Sequence, residues 1–153
     1  MSKKLETNVN IRNKKASYKY ELIDKYEAGL QLEGTEIKSI REGKASIKEG
    51  YCAFKGGELF VFNINISPYE DASFKNHDPN RPRKLLLHKH ELDKLFKQKK
   101  DVGLTIIPTK LFINSRGFAK LLIALAKGKK MQDKRESLKA KDAKRQMDRA
   151  MKQ

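Results

Sequence analysis

The side chains of this chain that could carry chemistry are three histidines, one cysteine and an unusual supply of basic and aromatic groups. His77 followed by Asp78 has the composition of an acid/base pair for phosphate chemistry. The same HDP triplet is also an ordinary turn, in which Asp78 bonds the backbone and Pro79 sets φ. Both readings stand at this level. His88 and His90 would not share a face if they lie on one helix. No Cys, His or Asp cluster has metal-ligand spacing, so neither a metal nor a cofactor is expected. The absence of a Walker A loop and of GxGxxG argues against nucleotide hydrolysis. Cys52, in an apolar strand context, reads as a small core residue rather than a nucleophile.

The interleaving of aromatic and basic residues is more informative. Tyr18, Tyr20, Tyr26, Tyr51 and Tyr69 lie near Lys19, Lys25, Lys55 and Lys75 in sequence, which suits stacking on unpaired bases with phosphates alongside. Tyrosines at alternating strand positions also serve as barrel wall. Arg81, Arg83 and Lys84 fall in or beside SPYEDASFKNHDPNRPR, a loop rich in Pro, Asp and Asn, and a Pro-stiffened loop is expected to present arginines to RNA. The formal charge of +16 implies a polyanionic partner, with nucleic acid favoured. The longest apolar run, LLIALA, is far below the ~18 residues needed to span a bilayer, so no membrane partner is expected. The first ten residues lack an apolar signal-peptide stretch and the single Cys allows no internal disulfide; both fit a cytoplasmic location.

The elements that must position these groups divide the chain into a basic N-terminal arm over residues 1–16, one barrel over 17–126 and a tail over 127–153. From Ser17 the alternation of Tyr18, Tyr20 and Leu22, then of Ala28, Leu30 and Leu32, predicts a long strand bent around Asp24 to Glu27. GTEIKSIREG switches period: Thr35 is a candidate cap, Ile37 and Ile40 share one face, Lys38 and Arg41 another, and Gly43 ends the helix. Lys55-Gly56-Gly57 predicts a tight hairpin turn. Leu92, Leu95 and Phe96 define a second amphipathic helix with cations at its C-terminal end. GLTIIPTKLFI, the turn NSRG and FAKLLIALAKG form a second hairpin, with Pro108 marking an edge or bulge. This pattern, on so basic a chain, predicts a mainly β fold: a small antiparallel OB-like barrel with two or three flanking helices. The tail carries eleven Lys or Arg against four Asp or Glu and only four large apolar residues, so it is expected to be disordered when free, although its residue types favour helix.

Four stretches, NKKA (13–16), YEAGLQLEGTEIKSIREGKA (26–45), HDPNRPRKLLLH (77–88) and GKKMQDKR (128–135), resemble the SmpB family in order and spacing. The resemblance implies a non-enzymatic RNA-binding adaptor of trans-translation. Such an adaptor recognises the tRNA-like domain of transfer-messenger RNA and, with the elongation factor EF-Tu, delivers it to stalled ribosomes. It places Asn13, Glu27 and Leu86 at RNA-recognition positions. Combined with the charge pattern, it makes Lys14, Lys38, Arg41, Arg83 and Lys84 phosphate contacts. It also assigns Gly128, Lys129, Lys130, Asp133, Lys134 and Arg135 to the small-subunit decoding centre and the empty mRNA channel. Gln132 departs from the family pattern, which has His or an aromatic residue there, so base stacking is not expected at that point. A ribosomal protein or general RNA chaperone would share the charge and the tail but has no reason to carry all four motifs.

Overall fold

The computed structural model describes residues 9–72, 75–101 and 103–129. Its elements in order are β1 (Asn10–Arg12), α1 (Ala16–Lys19), β2 (Tyr20–Leu30), α2 (Gly34–Arg41), β3 (Ala45–Ser46), β4 (Tyr51–Lys55), β5 (Glu58–Phe62), β6 (Asn65–Ile66), β7 (Arg83–Leu86), α3 (Lys89–Lys99), β8 (Leu104–Ile113) and β9 (Ala119–Gly128). Among the described residues, β8, β4, β5, β7, β2 and β9 pair in that order, and β9 pairs back with β8, which closes an antiparallel barrel. The mainly β, OB-like barrel expected from the sequence is therefore present.

Alternation along the strands builds the interior. Tyr26, Ala28 and Leu30 of β2, Leu59 and Val61 of β5, and Leu121, Ile123 and Leu125 of β9 all point inward and are buried. The β4–β5 hairpin turns on Gly56 and Gly57, whose φ values of 60° and 79° match a two-residue type I′ turn. In the β8–β9 hairpin the register shifts between Pro108 and Lys110, the bulge that Pro108 announces. The bend in β2 lies a little earlier than expected, between Leu22 and Asp24. Gly50 allows close approach: a Cβ there would meet Ile64 Cγ2 at 2.7 Å and Pro108 Cγ at 2.8 Å.

The helices lie outside the barrel. α3 buries Leu95, sets Phe96 edge-on to Phe54 with centroids 5.2 Å apart, and receives the Tyr26 hydroxyl on Gln98 Oε1 at 2.8 Å. Burial and neighbouring Asp24 push the Tyr26 hydroxyl up to about 12, so it stays a donor. α2 starts with a capping box between Glu33 and Glu36, not with Thr35 as the cap; the Thr35 hydroxyl instead bonds His77.

Three expected boundaries move. Residues 10–12 are no free arm: β1 pairs with residues 110–112 of β8, along the edge that β4 leaves open. Residues 16–19 form a helical turn rather than the start of a strand, because Ala16 packs with Ile107 and Ala126 in a small second core on the barrel's outside. The barrel also outlasts residue 126, since Lys127 and Gly128 pair with Glu21 and Tyr20, and the Lys129 amide donates to the Lys19 carbonyl at 3.0 Å.

Candidate nucleic-acid interface

The outward positions of five neighbouring strands form one surface. Register places Leu86 of β7 beside Gly29 of β2, Gly29 beside Lys120 of β9, Lys120 beside Phe112 of β8, and Phe112 beside Asn10 of β1. One step along the barrel, Glu27, Leu122, Lys110 and Arg12 make a parallel row. At a strand spacing of about 4.8 Å, the Leu86-to-Asn10 row spans roughly 19 Å. Asn13 follows directly on Arg12. Its amide nitrogen donates to the Pro108 carbonyl at 3.1 Å and its backbone N–H to the Thr109 carbonyl at 2.9 Å, which anchors it to the β8 bulge. Its buried Oδ1 has no partner among the described residues.

A cleft of about 410 Å³ opens where this surface meets α2. Gly29, Leu86 and Lys120 line it together with Arg41, Arg116 and Phe118. Leu86 is 50% exposed and Phe118 63%, large apolar side chains left in water between cations. Gly29 keeps the floor open, since a Cβ there would lie 3.3 Å from Leu86 Cβ. The loop carrying Arg116 and Phe118 is held by Asn114, whose Oδ1 accepts from the amides of both residues at 3.1 and 2.9 Å, with Gly117 at φ 86°.

Glu27 is exposed and, among the described residues, has neither an ion pair nor a side-chain hydrogen bond. A solvated carboxylate on the same face as Lys110 and Lys120 is available to accept from a base edge. Lys38 and Arg41 are exposed on α2, as their helical spacing predicts, with the Lys38 ammonium 5.4 Å from the Tyr69 ring centroid. Lys14 is exposed beside Asn13. Lys84 points outward from β7 and donates to Glu58 Oε1 at 2.8 Å.

Arg83 corrects the expectation of a presented phosphate contact. It is fully buried, its Nε donates to Glu36 Oε2 at 2.6 Å, and its remaining nitrogens donate to the carbonyls of Ile64, Asp78 and Pro79. Glu36, also fully buried, accepts from Arg81 as well and from the Glu33 amide. Burial opposes ionisation of Glu36, but these bonds outweigh it and hold its carboxyl below the usual range. Arg83 faces inward because β7 alternates: Arg83 and Leu85 point in while Lys84 and Leu86 point out.

His77 is buried, with Nδ1 2.8 Å from the Thr35 hydroxyl and Nε2 2.8 Å from the Ile66 carbonyl. A carbonyl only accepts, so in the neutral ring Nε2 carries the proton and Nδ1 receives the Thr35 hydroxyl. Asp78 turns away and takes the Asn80 amide at 3.0 Å. The HDP triplet is thus a turn with a cross-linking histidine, not an acid/base pair. Among the described residues no group of three or more His, Cys, Asp or Glu is placed to hold a metal, and no helix is long and apolar enough to cross a membrane.

Arg116, Phe118, Lys110 and Lys120 were not singled out by sequence reasoning, which treated NSRG as a turn alone. The available signal was an apolar ring directly after Arg-Gly in a hairpin loop. Gly128 and Lys129 end the described chain at the lip of the barrel, the Lys129 ammonium donating to the Ser17 carbonyl at 3.2 Å. Lys130, Gln132, Asp133, Lys134 and Arg135 lie outside the described residues.

Comparison with known proteins adds an independent finding. A family model described as "SmpB protein" matches residues 10–153. The chain is 60% identical to an "SsrA-binding protein" of Cytophaga hutchinsonii, over 97% of each chain. It is 49% identical to one of Thermosipho africanus, over 92% of this chain and 94% of that one. A solved structure described as "tmRNA-SmpB: a journey to the center of the bacterial ribosome" superposes with a TM-score of 0.69 at 44% identity, covering 85% of this chain and 94% of the other.

Proposed function

Because this chain belongs to the SmpB family, we propose that the surface running from Leu86 to Asn13 is where it holds its RNA. The protein binds transfer-messenger RNA and acts in trans-translation on the ribosome. The observation that carries the assignment of the surface is the cleft that collects Arg41, Leu86, Arg116, Phe118 and Lys120 around the bare backbone of Gly29. Cations meet phosphates there, the exposed apolar groups pack on sugar or base, and the carboxylate of Glu27 supplies the acceptor that a purely basic surface lacks.

The finer reading is an adaptor without catalysis. The barrel grips the tRNA-like domain through Asn13, Lys14, Glu27, Lys38, Arg41 and Leu86, with Lys84 at the margin. The tail from Gly128 onward, including Lys129, Lys130, Gln132, Asp133, Lys134 and Arg135, probes the decoding centre and the empty mRNA channel. EF-Tu accompanies the delivery, and the setting is the cytoplasm. Support comes from the family motifs at these positions and from an outward surface dense in cations.

Titration of a labelled tRNA-like fragment tests the surface. Leu86→Asp and Phe118→Ala should each weaken binding about tenfold or more, with melting temperatures near that of the parent, since both side chains are solvent-exposed. Unchanged affinity in both would remove this face from the interface.

A further inference from the structure

The opposite side of β7 carries a second set of outward groups, of which the surface above uses only Lys84, at its margin. Along β5, Phe60 and Phe62 point out, their ring centroids 6.4 Å apart. Across the hairpin, Tyr51 lies parallel on Phe62, with centroids 5.3 Å apart and planes 17° from parallel, and it remains 43% exposed. Phe60 has Ala53 as its cross-strand neighbour on one side and Lys84 on the other. A cleft of about 450 Å³ lies between Phe60, Phe62, Lys55, Glu58 and Pro82. A second cleft, of about 500 Å³, continues past Phe60 to Arg81 and Lys84. At the other end Tyr51 also lines a small cleft with Lys15, Lys19 and Lys48.

We propose that this ladder of Tyr51, Phe62 and Phe60 is a stacking platform for two or three unpaired bases of single-stranded RNA, separate from the surface around Leu86. The rings are consecutive, Tyr51 exposed and Phe60 and Phe62 partly buried, with Tyr51 nearly parallel on Phe62 and Phe60 tilted 48° from Phe62, so that each offers part of a face to a base. Cations flank both ends, Lys15, Lys19 and Lys48 beyond Tyr51 and Lys55, Arg81 and Lys84 around Phe60, so a sugar-phosphate backbone crossing the rings meets positive charge at each end. Glu33, Glu49 and Glu58 are the opposing charges in these clefts; Glu58 is already bonded to Lys84, and Arg81 to Glu36. A duplex cannot use such a site, because its bases show only their edges. The occupant is therefore an unpaired RNA segment, which the position of the rings beyond β7 keeps apart from the Leu86 cleft. The inference depends on the proposed function only for the class of ligand.

The test is photocrosslinking of the full chain to a short unstructured oligoribonucleotide carrying 5-iodouridine, with and without a saturating tRNA-like fragment. Cross-links should map to Tyr51, Phe60 or Phe62 and persist on saturation. Tyr51→Leu and Phe60→Leu, which keep apolar bulk on the strand, should each weaken oligonucleotide binding about tenfold and leave binding of the tRNA-like fragment unchanged. Leu86→Asp should show the reverse pattern, so failure of the platform and failure of the Leu86 surface are read separately. Cross-links confined to Phe118 and its neighbours, their loss on saturation, or oligonucleotide affinity unchanged in folded Tyr51→Leu and Phe60→Leu proteins would overturn the proposal.

Discussion

Arg83 and Glu36 form a fully buried ion pair, Nε to Oε2 at 2.6 Å, that ties β7 to α2 across 47 residues of sequence. The pair also organises the loop between them: Arg83 holds the carbonyls of Asp78 and Pro79, and Arg81 reaches the same carboxylate. Exposed Lys38 and Arg41 on α2, and Lys84 and Leu86 on β7, thereby keep fixed relative positions although none of the four belongs to the pair.

Removing one partner should cost more than removing a surface charge. Glu36→Ala leaves the buried Arg83 cation without its carboxylate, and a loss of about 3–5 kcal/mol is expected. Urea denaturation measures it. A loss below about 1 kcal/mol would mean that the pair organises the loop without stabilising the fold.

Acid should act through the same carboxylate. Glu36 is held below its ordinary value of 4.5, as is Asp24 below 3.8, where bonds from Gln98, Lys94 and Tyr26 outweigh the desolvation that opposes them. A carboxyl depressed on folding contributes stability that is complete above its unfolded pKa and lost as pH falls through the folded one. Melting temperature should therefore be flat towards neutrality in this respect and fall below about pH 4.5, and Glu36→Gln should flatten part of that fall. A parallel pH profile in the variant would exclude Glu36 as a source.

Glycine positions separate folding from recognition. Gly50→Ala drives a Cβ to within 2.8 Å of Ile64 and Pro108 and should destabilise the barrel by about 1–3 kcal/mol. Gly29→Ala meets Leu86 Cβ at 3.3 Å, a contact that a shift of a few tenths of an ångström relieves, so it should lower RNA affinity with a smaller loss of stability than Gly50→Ala. Paired melting and binding curves distinguish the two, and equal effects of both variants on both measurements would contradict the assignment of Gly29 to the cleft.

Salt should govern RNA affinity. With about five phosphates neutralised, the slope of log affinity against log salt should lie between about -3.5 and -4.5. Lys120→Gln and Arg116→Gln should each reduce its magnitude by about 1. A slope near zero would sink the electrostatic account.

Truncation after Lys129 separates the barrel from the tail. A chain ending there keeps the pairing of Lys127 and Gly128 with β2 and the Lys129 bonds, so it should fold and bind the tRNA-like fragment while failing to rescue stalled ribosomes. Ending at Ala126 strips that pairing and should lower the melting temperature. Release of stalled ribosomes by the Lys129 truncation would refute the proposed role of the tail.

Much of this protein was legible in its residues because the signals are local. The Gly56-Gly57 turn, the α2 and α3 periodicities, the bulge at Pro108 and the outward cations Lys38 and Arg41 depend on neighbours a few residues away, where steric and hydrogen-bonding preferences act directly. The four ordered motifs likewise pointed to the family that the comparisons establish. Tertiary structure decided what depends on distant partners. Whether Arg83 meets solvent or a carboxylate follows from β7 alternation set by pairing with β2 and β5. Whether residues 10–12 are an arm or a strand follows from an edge of β8 that β4 leaves free. The cleft itself joins β2, β7, α2 and the 114–118 loop, segments that approach only when the barrel closes, and so Arg116 and Phe118 could not be distinguished in sequence from an ordinary turn.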